Sequence, residues 1–447
     1  MNILIINGSP KGENSITLQT SRYLEKKYKL QNMEVLHVGQ RIKALEKDFS
    51  PALSAIEKAD VLLFSYPVYT FIAPCQLHRF IELMKEHGAN VSGKIATQVT
   101  TSKHFYDITA HRYIQDNVQE MGMHFIRGLS ADMEDLTAEK GRTEAENWWK
   151  HFLWSREQGY FEPYFPIPDP TQPVPATALA SNGEKPGDVV IIADLKPEDT
   201  QLSNMVARFR SQLPYATRVV NLREYPFKGG CLGCFRCAVS GKCVYKDGFD
   251  EYLRNKIQTA DAMVYAFAIK DHSMGSLFKM YDDRQFCNGH RTVTIGMPVA
   301  YLISGNLSRE ENLRTIIEGR AQVGSNILSG IATDEVDTDA AIDRLAEQLA
   351  YSLEHKNTGP QNFLGVGGMK IFRDLIYQMR GFMRADHKFF KSHGQYDFPQ
   401  KKWPQSLAMY LVGAMIANPK VMAKAGSQMN EGMLMPYKKV LEDMDKE

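Results

Sequence analysis

Four of the chain's six cysteines fall within "CLGCFRCAVSGKC", as Cys231, Cys234, Cys237 and Cys243, spaced C-x2-C-x2-C-x5-C. Thiolates two residues apart can close on one metal centre, and a fourth after five residues completes a set of four ligands. A disulfide knot would use the same residues. Zinc sites usually hold their two C-x2-C pairs farther apart. Three cysteines at successive x2 spacing stand nearer the cuboidal iron–sulfur run. Unmetallated thiols with a structural or redox role complete the alternatives. Gly229, Gly230 and Gly233 ease a tight wrapping, and Gly241 eases the return turn. Cys75 and Cys287 read as ordinary buried thiols, although Cys287 lies in "DRQFCNGHR", beside a loop that could edge a binding site.

A second group of residues gathers in "NGSPKGENSIT", Asn7 to Thr17, between an apolar strand pattern and a helical one. It lacks the G-K-[ST] ending of a Walker A loop and is not a dinucleotide G-x-G-x-x-G. It does offer hydroxyls at Ser9, Ser15 and Thr17, an amide at Asn14, a cation at Lys11 and a helix N-terminus. Together these suit one terminal phosphate; the bland reading is a capped βα turn. "SYPVYTFIAP" (Ser65 to Pro74) leaves the third strand pattern at its carboxyl end, where open α/β sheets bind ligands. Pro67 stiffens that loop, and Tyr69 or Phe71 could lie against a flat ring. "TTSKHFYD" (Thr100 to Asp107) leaves the fourth strand at the same edge with Thr100, Thr101 and Ser102. The histidines form no H-x3-H or H-E-x-x-H pattern and read as surface or capping groups. His104, in the third loop, is the exception to watch.

The elements that must position these loops are legible as period. Short apolar runs ("NILIING", "MEVLHV", "DVLLFSYPVY", "KIATQVTTS") alternate with helical stretches of 10 to 16 residues. That pattern implies a parallel sheet covered on both faces, wound by right-handed crossovers. The pattern restarts after a proline-rich stretch. "GDVVIIADLKPEDTQLSNMVARF" parallels "MNILIINGSPKGENSITLQTSRYL", and "ADAMVYAFAIKDHSMGSLFKMYDDR" parallels "ADVLLFSYPVYTFIAPCQLHRFIEL". The paired strands lie about 58 positions apart in the first half and about 73 in the second, a surplus close to the size of the cysteine segment. The reading is a tandem duplication with a cysteine insertion in the second copy. It divides the chain into an α/β domain over 1–160, a proline-rich linker over 161–187, a second α/β domain over 188–360 and a mainly helical extension over 361–447. "NWWKHFLW", with three of the four tryptophans, is expected to pack on the linker or a dimer interface. "SLAMYLVGAMIA" (Ser406 to Ala417) is helix-length and expected to pack on the protein.

Lys+Arg number 53 against 52 Asp+Glu, so nothing marks a nucleic-acid surface, and "MRGFMRADHKFFKSHGQYDF" is too short and isolated to supply one. No apolar run reaches the roughly 20 residues of a membrane span. "MNILIINGSP" lacks a basic n-region and a cleavage pattern, so a cytoplasmic location is expected. In a reducing compartment the four-cysteine run favours a metal or redox role over disulfides.

"NGSPKGENSIT", "ADVLLFSYPVY" and "TTSKHF" resemble the phosphate, second and third loops of flavodoxin-like NAD(P)H-dependent FMN reductases. The cysteine-rich half resembles iron–sulfur flavoproteins, which carry a compact C-x2-C-x2-C-x4–7-C motif in the same fold. The likeness spans roughly Met1 to Lys150 and Gly187 to Glu335. It implies two tandem flavodoxin-like doubly wound parallel-sheet domains, with FMN in the first. The FMN phosphate would lie at Ser9, Lys11, Asn14, Ser15 and Thr17, and its ring near Pro67, Val68, Tyr69, Thr100 and Thr101. It further implies NAD(P)H as electron donor, and a [4Fe–4S] cluster at Cys231, Cys234, Cys237 and Cys243, with zinc as the alternative. The acceptor would be a small molecule or a protein, and the chain a candidate homodimer. The second copy departs from the pattern: Asp194, Glu198 and Asp199 replace the Gly-Ser-Pro turn and would repel a phosphate, and "FAIKDHSM" replaces the Pro-Val-Tyr loop. A non-catalytic electron carrier and a zinc-stapled binding or structural protein are the competing readings.

Overall fold

Every residue of β1 (Ile3–Asn7) and of β7 (Val189–Ala193) is buried, as the unbroken apolar runs require of strands covered on both faces. The structure, a computed structural model, describes residues 1–165, 170–180 and 183–444. After β1 the first lobe continues with α1 (Ile16–Tyr28), β2 (Met33–Leu36), α2 (Val38–Leu45), α3 (Ser50–Lys58), β3 (Val61–Pro67), α4 (Cys75–Glu86), β4 (Ile95–Ser102), α5 (Asp107–Glu120), β5 (His124–Phe125), β6 (Leu129–Asp132) and α6 (Glu139–Gln158). The second lobe follows β7 with α7 (Thr200–Gln212), β8 (Thr217–Asn221), α8 (Arg236–Ser240), α9 (Phe249–Tyr252), β9 (Ala262–Ala268), α10 (Gly275–Arg284), β10 (Pro298–Ser304), α11 (Glu311–Gly324), β11 (Ile327–Thr333) and α12 (Thr338–His355). Four further helices end the described chain: α13 (Phe363–Gln378), α14 (Arg384–Ser392), α15 (Trp403–Ile416) and α16 (Pro419–Met444).

The first sheet has the order β2-β1-β3-β4-β5, and the second, read from β8, has the order β8-β7-β9-β10-β11. All pairings are parallel, and both are the doubly wound flavodoxin-like order with its switch point between the first and third strands. The registers confirm the repeat. Ile3 pairs with Val61 across β1 and β3, as Val189 pairs with Ala262 across β7 and β9. β6 shares the edge of β4 with β5, pairing Val99 with Leu129. The chain passes between them at Gly128, where a Cβ would lie 2.3 Å from the Gln98 carbonyl oxygen.

The two lobes pack α4 against α10 by a reciprocal exchange. The Asp283 carboxylate of α10 accepts from the Cys75 backbone N–H at the start of α4 (2.8 Å) and from Thr70 Oγ1 (3.2 Å). The Glu82 carboxylate of α4 accepts from the Ser276 N–H near the start of α10 (2.7 Å) and from its Oγ (2.6 Å). His78 reaches Asp271 Oδ2 at 2.8 Å, and Lys279 Nζ donates to the Tyr69 carbonyl at 3.0 Å. Thr70 and Phe71 have φ of 44° and 74°; Asp271 and His272, the matching residues, have 44° and 57°. Contacts that recur with the lobes exchanged are the mark of an isologous two-fold interface, here between two halves of one chain.

In the tryptophan segment, Trp149 and Phe152 close one face of the first sheet with Ile3, Ile5 and Val61, and Phe161 at the start of the linker packs against the same cluster. The proline-rich stretch includes 166–169 and 181–182, which lie outside the described residues. Its described part straps the second lobe: Val174 N–H donates to the Asp334 carbonyl (2.8 Å), and Ala176 enters the core. Met1–Phe389 forms one compact unit, which includes α13, and Phe390–Glu447 forms another. Ser406–Ala417 is helical as expected but does not pack away its side chains: no residue of α15 is buried. Its apolar length suggested packing on the protein because period alone cannot tell which neighbour, if any, covers it. Among the described residues, no helix is long and apolar enough to cross a membrane.

At the lobe interface His272 lies between Glu310 (Nδ1 to Oε1, 3.0 Å) and Glu120 (Nε2 to Oε2, 3.4 Å). Burial lowers the affinity of the imidazole for its proton, but the bonds to the two glutamates outweigh it and hold the pKa at about 9. A histidine whose folded value exceeds its unfolded one of about 6.5 stabilises fully below that pH and loses the contribution as pH rises through 9. Urea unfolding should therefore show a loss on the order of 2 kcal/mol between pH 6 and 9, reduced by the exposure of Glu120. In His272→Phe, which installs the residue type of Phe71, that difference should vanish; an unchanged pH slope would show the cost arises elsewhere.

Candidate functional site

The loop after β1 is held by one side chain. Asn7 Nδ2 donates to the Gly12 carbonyl (3.0 Å) and meets His37 Nδ1 (3.0 Å), while its Oδ1 accepts from the Ser9 N–H (3.2 Å). Ser9 Oγ accepts from the Lys11 N–H, and Ser15 Oγ caps α1 by accepting from the Leu18 N–H at 3.4 Å. α2 can approach because it presents Gly39, where a Cβ would lie 2.3 Å from the Gly8 carbonyl oxygen. Thr17 Oγ1 and Thr101 Oγ1 share a hydrogen bond of 2.6 Å, which ties this loop to the end of β4. Lys11 has no ion pair among the described residues. Its ammonium lies 5.7 Å from the Phe235 ring centroid, and burial pulls its pKa down while Cys234 and Cys231 pull it up.

The cysteine segment comes from the second lobe and lies across this loop. Arg284, fully buried at the end of α10, anchors its base. Nη1 donates to the Gly229 carbonyl (2.8 Å), and the guanidinium forks onto Asp247 at 2.9 and 2.7 Å. The rings of Tyr245 and Phe249 lie 4.5 and 5.1 Å away. Burial alone would raise the Asp247 carboxyl, but the Arg284 bonds bring it to about 2. Tyr245 Oη donates to the Gly230 carbonyl (3.1 Å), and Gln76 Nε2 donates from the first lobe to the Cys231 carbonyl (3.3 Å). Gly233, at φ 58°, passes so close to Tyr69 that a Cβ would lie 1.8 Å from its hydroxyl. Only glycine fits there.

These elements enclose a cavity of about 1380 Å³, its open mouth included. Ser9, Lys11, Ser15, Thr17, Pro67, Val68, Tyr69 and Thr101 line it from the first lobe, and Cys231, Cys234, Cys237 and Cys243 from the second. Two residues expected with them are elsewhere. Asn14 is exposed in a single 3-10 turn, and Thr100 points to the opposite side of its strand, bonded to His111 Nε2 at 2.8 Å. His104 pairs with Asp107 at 2.8 Å and does not line the cavity. Cys75 and Cys287 are both buried, and Cys287 also faces the cavity. The fourth wall was not anticipated. Ile371, Phe372 and Leu375 of α13 line it, with Phe372 stacked on Phe105 (4.4 Å) and edge-on to His290 (4.8 Å). His290 is fixed by Asp386 at 2.9 Å.

Burial raises the Cys231 thiol far above its ordinary range and pushes Cys237 up to about 11; it raises the Tyr69 phenol as well. Without a compensating cation Cys231 and Cys237 are therefore thiols at neutral pH, while a metal ion would reverse that preference. Among the described residues, no three His, Cys, Asp or Glu side chains are gathered closely enough to form a ready metal site. The four cysteines share a wall rather than a point.

The corresponding place in the second lobe carries different charges. Asp194, buried at the position of Gly8, pairs with Arg223 (2.7 Å) and with Lys270 (3.4 Å), which replaces Tyr69. Arg223 and Lys270, with Lys196, line an open pocket there.

Residues 1–134 match the family model described as NADPH-dependent FMN reductase. No curated protein matches the chain. Among solved structures, an apo NADH:FMN oxidoreductase (EMOB) shares 21% identity with a TM-score of 0.30, covering 34% of this chain and 89% of its own. The NAD(P)H:quinone oxidoreductase from Methanothermobacter marburgensis shares 14%, TM-score 0.31, covering 40% and 99%. The general stress protein 14 from Treponema denticola, in complex with FMN, shares 15%, TM-score 0.27, covering 35% and 99%.

Arg284→Ala should leave Asp247 buried and unpaired and free the base of the cysteine segment, at a cost of about 3–5 kcal/mol in urea unfolding. Arg284→Met combined with Asp247→Leu should recover most of that loss, since an apolar pair of similar size needs no counter-charge. Equal losses in the single and double variants would mean that the ion pair is not what anchors the segment.

Proposed function

We propose that the chain is an FMN-dependent NAD(P)H oxidoreductase whose first lobe holds the flavin. Its cysteine segment would hold a [4Fe–4S] centre that passes electrons to a small-molecule or protein acceptor. One observation carries the reading: the loop suited to a phosphate and all four clustered cysteines face one cavity from opposite lobes. The family match over 1–134 supports the flavin part.

The residues fit an FMN phosphate. Ser9 and Ser15 bring hydroxyls, α1 brings its N-terminus, and Lys11 is a half-buried cation without an acidic partner among the described residues. An anion beside Lys11 would return the proton affinity that burial removes. When bound, FMN supplies hydride acceptance and one-electron release. The chain's own part is to position and to exclude water. Pro67, Val68 and Tyr69 form one wall, Phe235, Tyr245 and Phe372 others, and Tyr69 keeps its phenolic proton because it is buried. The four thiols are a donor set for iron–sulfur or zinc. Their place against the flavin cleft favours the electron-carrying centre over a remote staple.

Anaerobically purified protein should carry one FMN per chain, because in the second lobe the carboxylate of Asp194 stands at the position of Gly8 and would repel a phosphate. It should also carry about four irons with matching sulfide. Cys234→Ala should lose the iron and keep the flavin. Lys11→Ala should weaken FMN binding by roughly ten-fold to a hundred-fold, the worth of a charge-assisted contact. Zinc in place of iron would remove the electron-relay half of the proposal, and a chain without NAD(P)H oxidation when flavin-loaded would remove the other half.

A further inference from the structure

A second chamber, of about 880 Å³ with its open mouth included, adjoins the cavity between the lobes. Phe105, Phe286, His290 and Phe372 line both, so the two spaces meet at an aromatic collar. Phe105 and Phe372 are stacked at 4.4 Å, and His290 stands edge-on to Phe372 at 4.8 Å and to Phe286 at 5.3 Å. Beyond the collar the sheet of the second lobe supplies Tyr265 and Tyr301. They are partners in register across β9 and β10, with ring centroids 5.0 Å apart, and are 7% and 4% exposed. Arg320 of α11 lines the same chamber, in ion-pair contact with Asp282 and 5.4 Å from the centre of the Phe71 ring.

These groups are donors with little to donate to. Burial pushes the Tyr265 phenol up to about 12 and raises that of Tyr301 as well, against the pull of Arg320, so both keep their protons. Tyr265 Oη meets the Met263 thioether at 3.8 Å, a weak acceptor. The Tyr301 hydroxyl stands by the Arg320 guanidinium, which can accept nothing. Nη1 of Arg320 is buried and makes no hydrogen bond, although it touches Asp282 as an ion pair. Asp282 is the one acid among the described residues that line the chamber, and Lys279 shares it at 3.4 Å. Arg291 lines the chamber too, and burial lowers its proton affinity despite Asp386. Buried donors without acceptors are costly, and an oxyanion between them would satisfy them. We propose that the chamber binds a small conjugated carboxylate, its oxygens at Arg320, Tyr265 and Tyr301 and its flat body in the aromatic collar. A carboxylate suits the site better than a phosphate dianion. The last turn of α11 lines the chamber, and its carbonyl end, with Asp282, opposes a second negative charge. The inference requires neither the flavin nor the cluster.

The test is equilibrium dialysis of the full chain against cinnamate and against cinnamamide, which has the same flat body without the charge. Cinnamate should bind saturably, and cinnamamide at least about ten-fold more weakly. Tyr265→Phe/Tyr301→Phe should weaken cinnamate binding at least about ten-fold, because two hydrogen bonds to a charged oxygen are lost while the rings stay. Its far-ultraviolet dichroism and its unfolding midpoint should stay close to the parent's, since the lost hydroxyls have no strong acceptor in the fold. Equal affinity for the acid and the amide overturns the proposal, and so does a double variant that binds cinnamate as the parent does. A chain that takes up no cinnamate overturns it outright.

Discussion

Each lobe puts a carboxylate on the first turn of the other lobe's helix: Asp283 on α4, Glu82 on α10. The charge suits the positive end of each helix, but that does not make the exchange cheap, because Asp283 is buried and must stay paired. Lys279 pairs with it and with Asp282, and donates to the Tyr69 carbonyl. The loop that follows β3 is thus shaped from outside its own lobe. Thr70, at φ 44°, is bonded to Asp283, and Arg320 of α11 lies over the Phe71 ring at 5.4 Å. The cavity belongs to neither lobe alone, and removing either would leave buried charges without partners.

A two-fold assembly of identical subunits must repeat every site. Fusing the two copies in one chain lifts that requirement, and the structure shows what followed. At the first lobe's position Gly8 the second lobe has Asp194, a buried carboxylate that is tolerated because Arg223 and Lys270 pair with it. At the place of Tyr69 it has Lys270, one of those two cations. The lobe with Asp194 is also the lobe that carries the cysteine segment, and Arg284 and Gln76 hold that segment over the first lobe's cavity.

How much of this could be read from sequence depended on whether the chemistry was contiguous. The three loops of the first lobe and the cysteine run are each short, and each lies at a strand end or in one turn-rich segment, so residue type and order sufficed. Strand spacing was enough to expose the duplication and the insertion. Thr100 and Thr101 show a missed signal that was present: neighbours on a strand point to opposite faces, so only one of them could line a pocket. Asn14 offered no such cue, since its exposure depends on how the 3-10 turn sits. Phe372 and His290 had none at all. Their place in the wall comes from the packing of α13 against α11 and from Asp386, contacts made far along the chain. α15 misled for the opposite reason: its apolar composition pointed to packing on the protein, and none of its residues is buried.

The cavity's electrostatics link its two halves more tightly than its geometry does. Lys11 feels burial first and then the sulfurs of Cys234 and Cys231, although these come from the other lobe. Burial raises both Cys231 and Cys237; Asp283 and Cys237 add to it at Cys231, and Asp386 and Cys234 at Cys237. With no added charge, the low-dielectric resting state is therefore two protonated thiols beside a weakened lysine. An anion placed at Lys11 would strengthen that cation and leave less of its field for thiolates. A metal placed at the sulfurs would supply the positive charge that they lack and relieve Lys11 of that duty. Two such occupants would serve different sides of one charge balance, and by linkage filling either side would change the other's affinity. Such a coupling would follow from one lysine placed between two lobes and would require no movement of the fold.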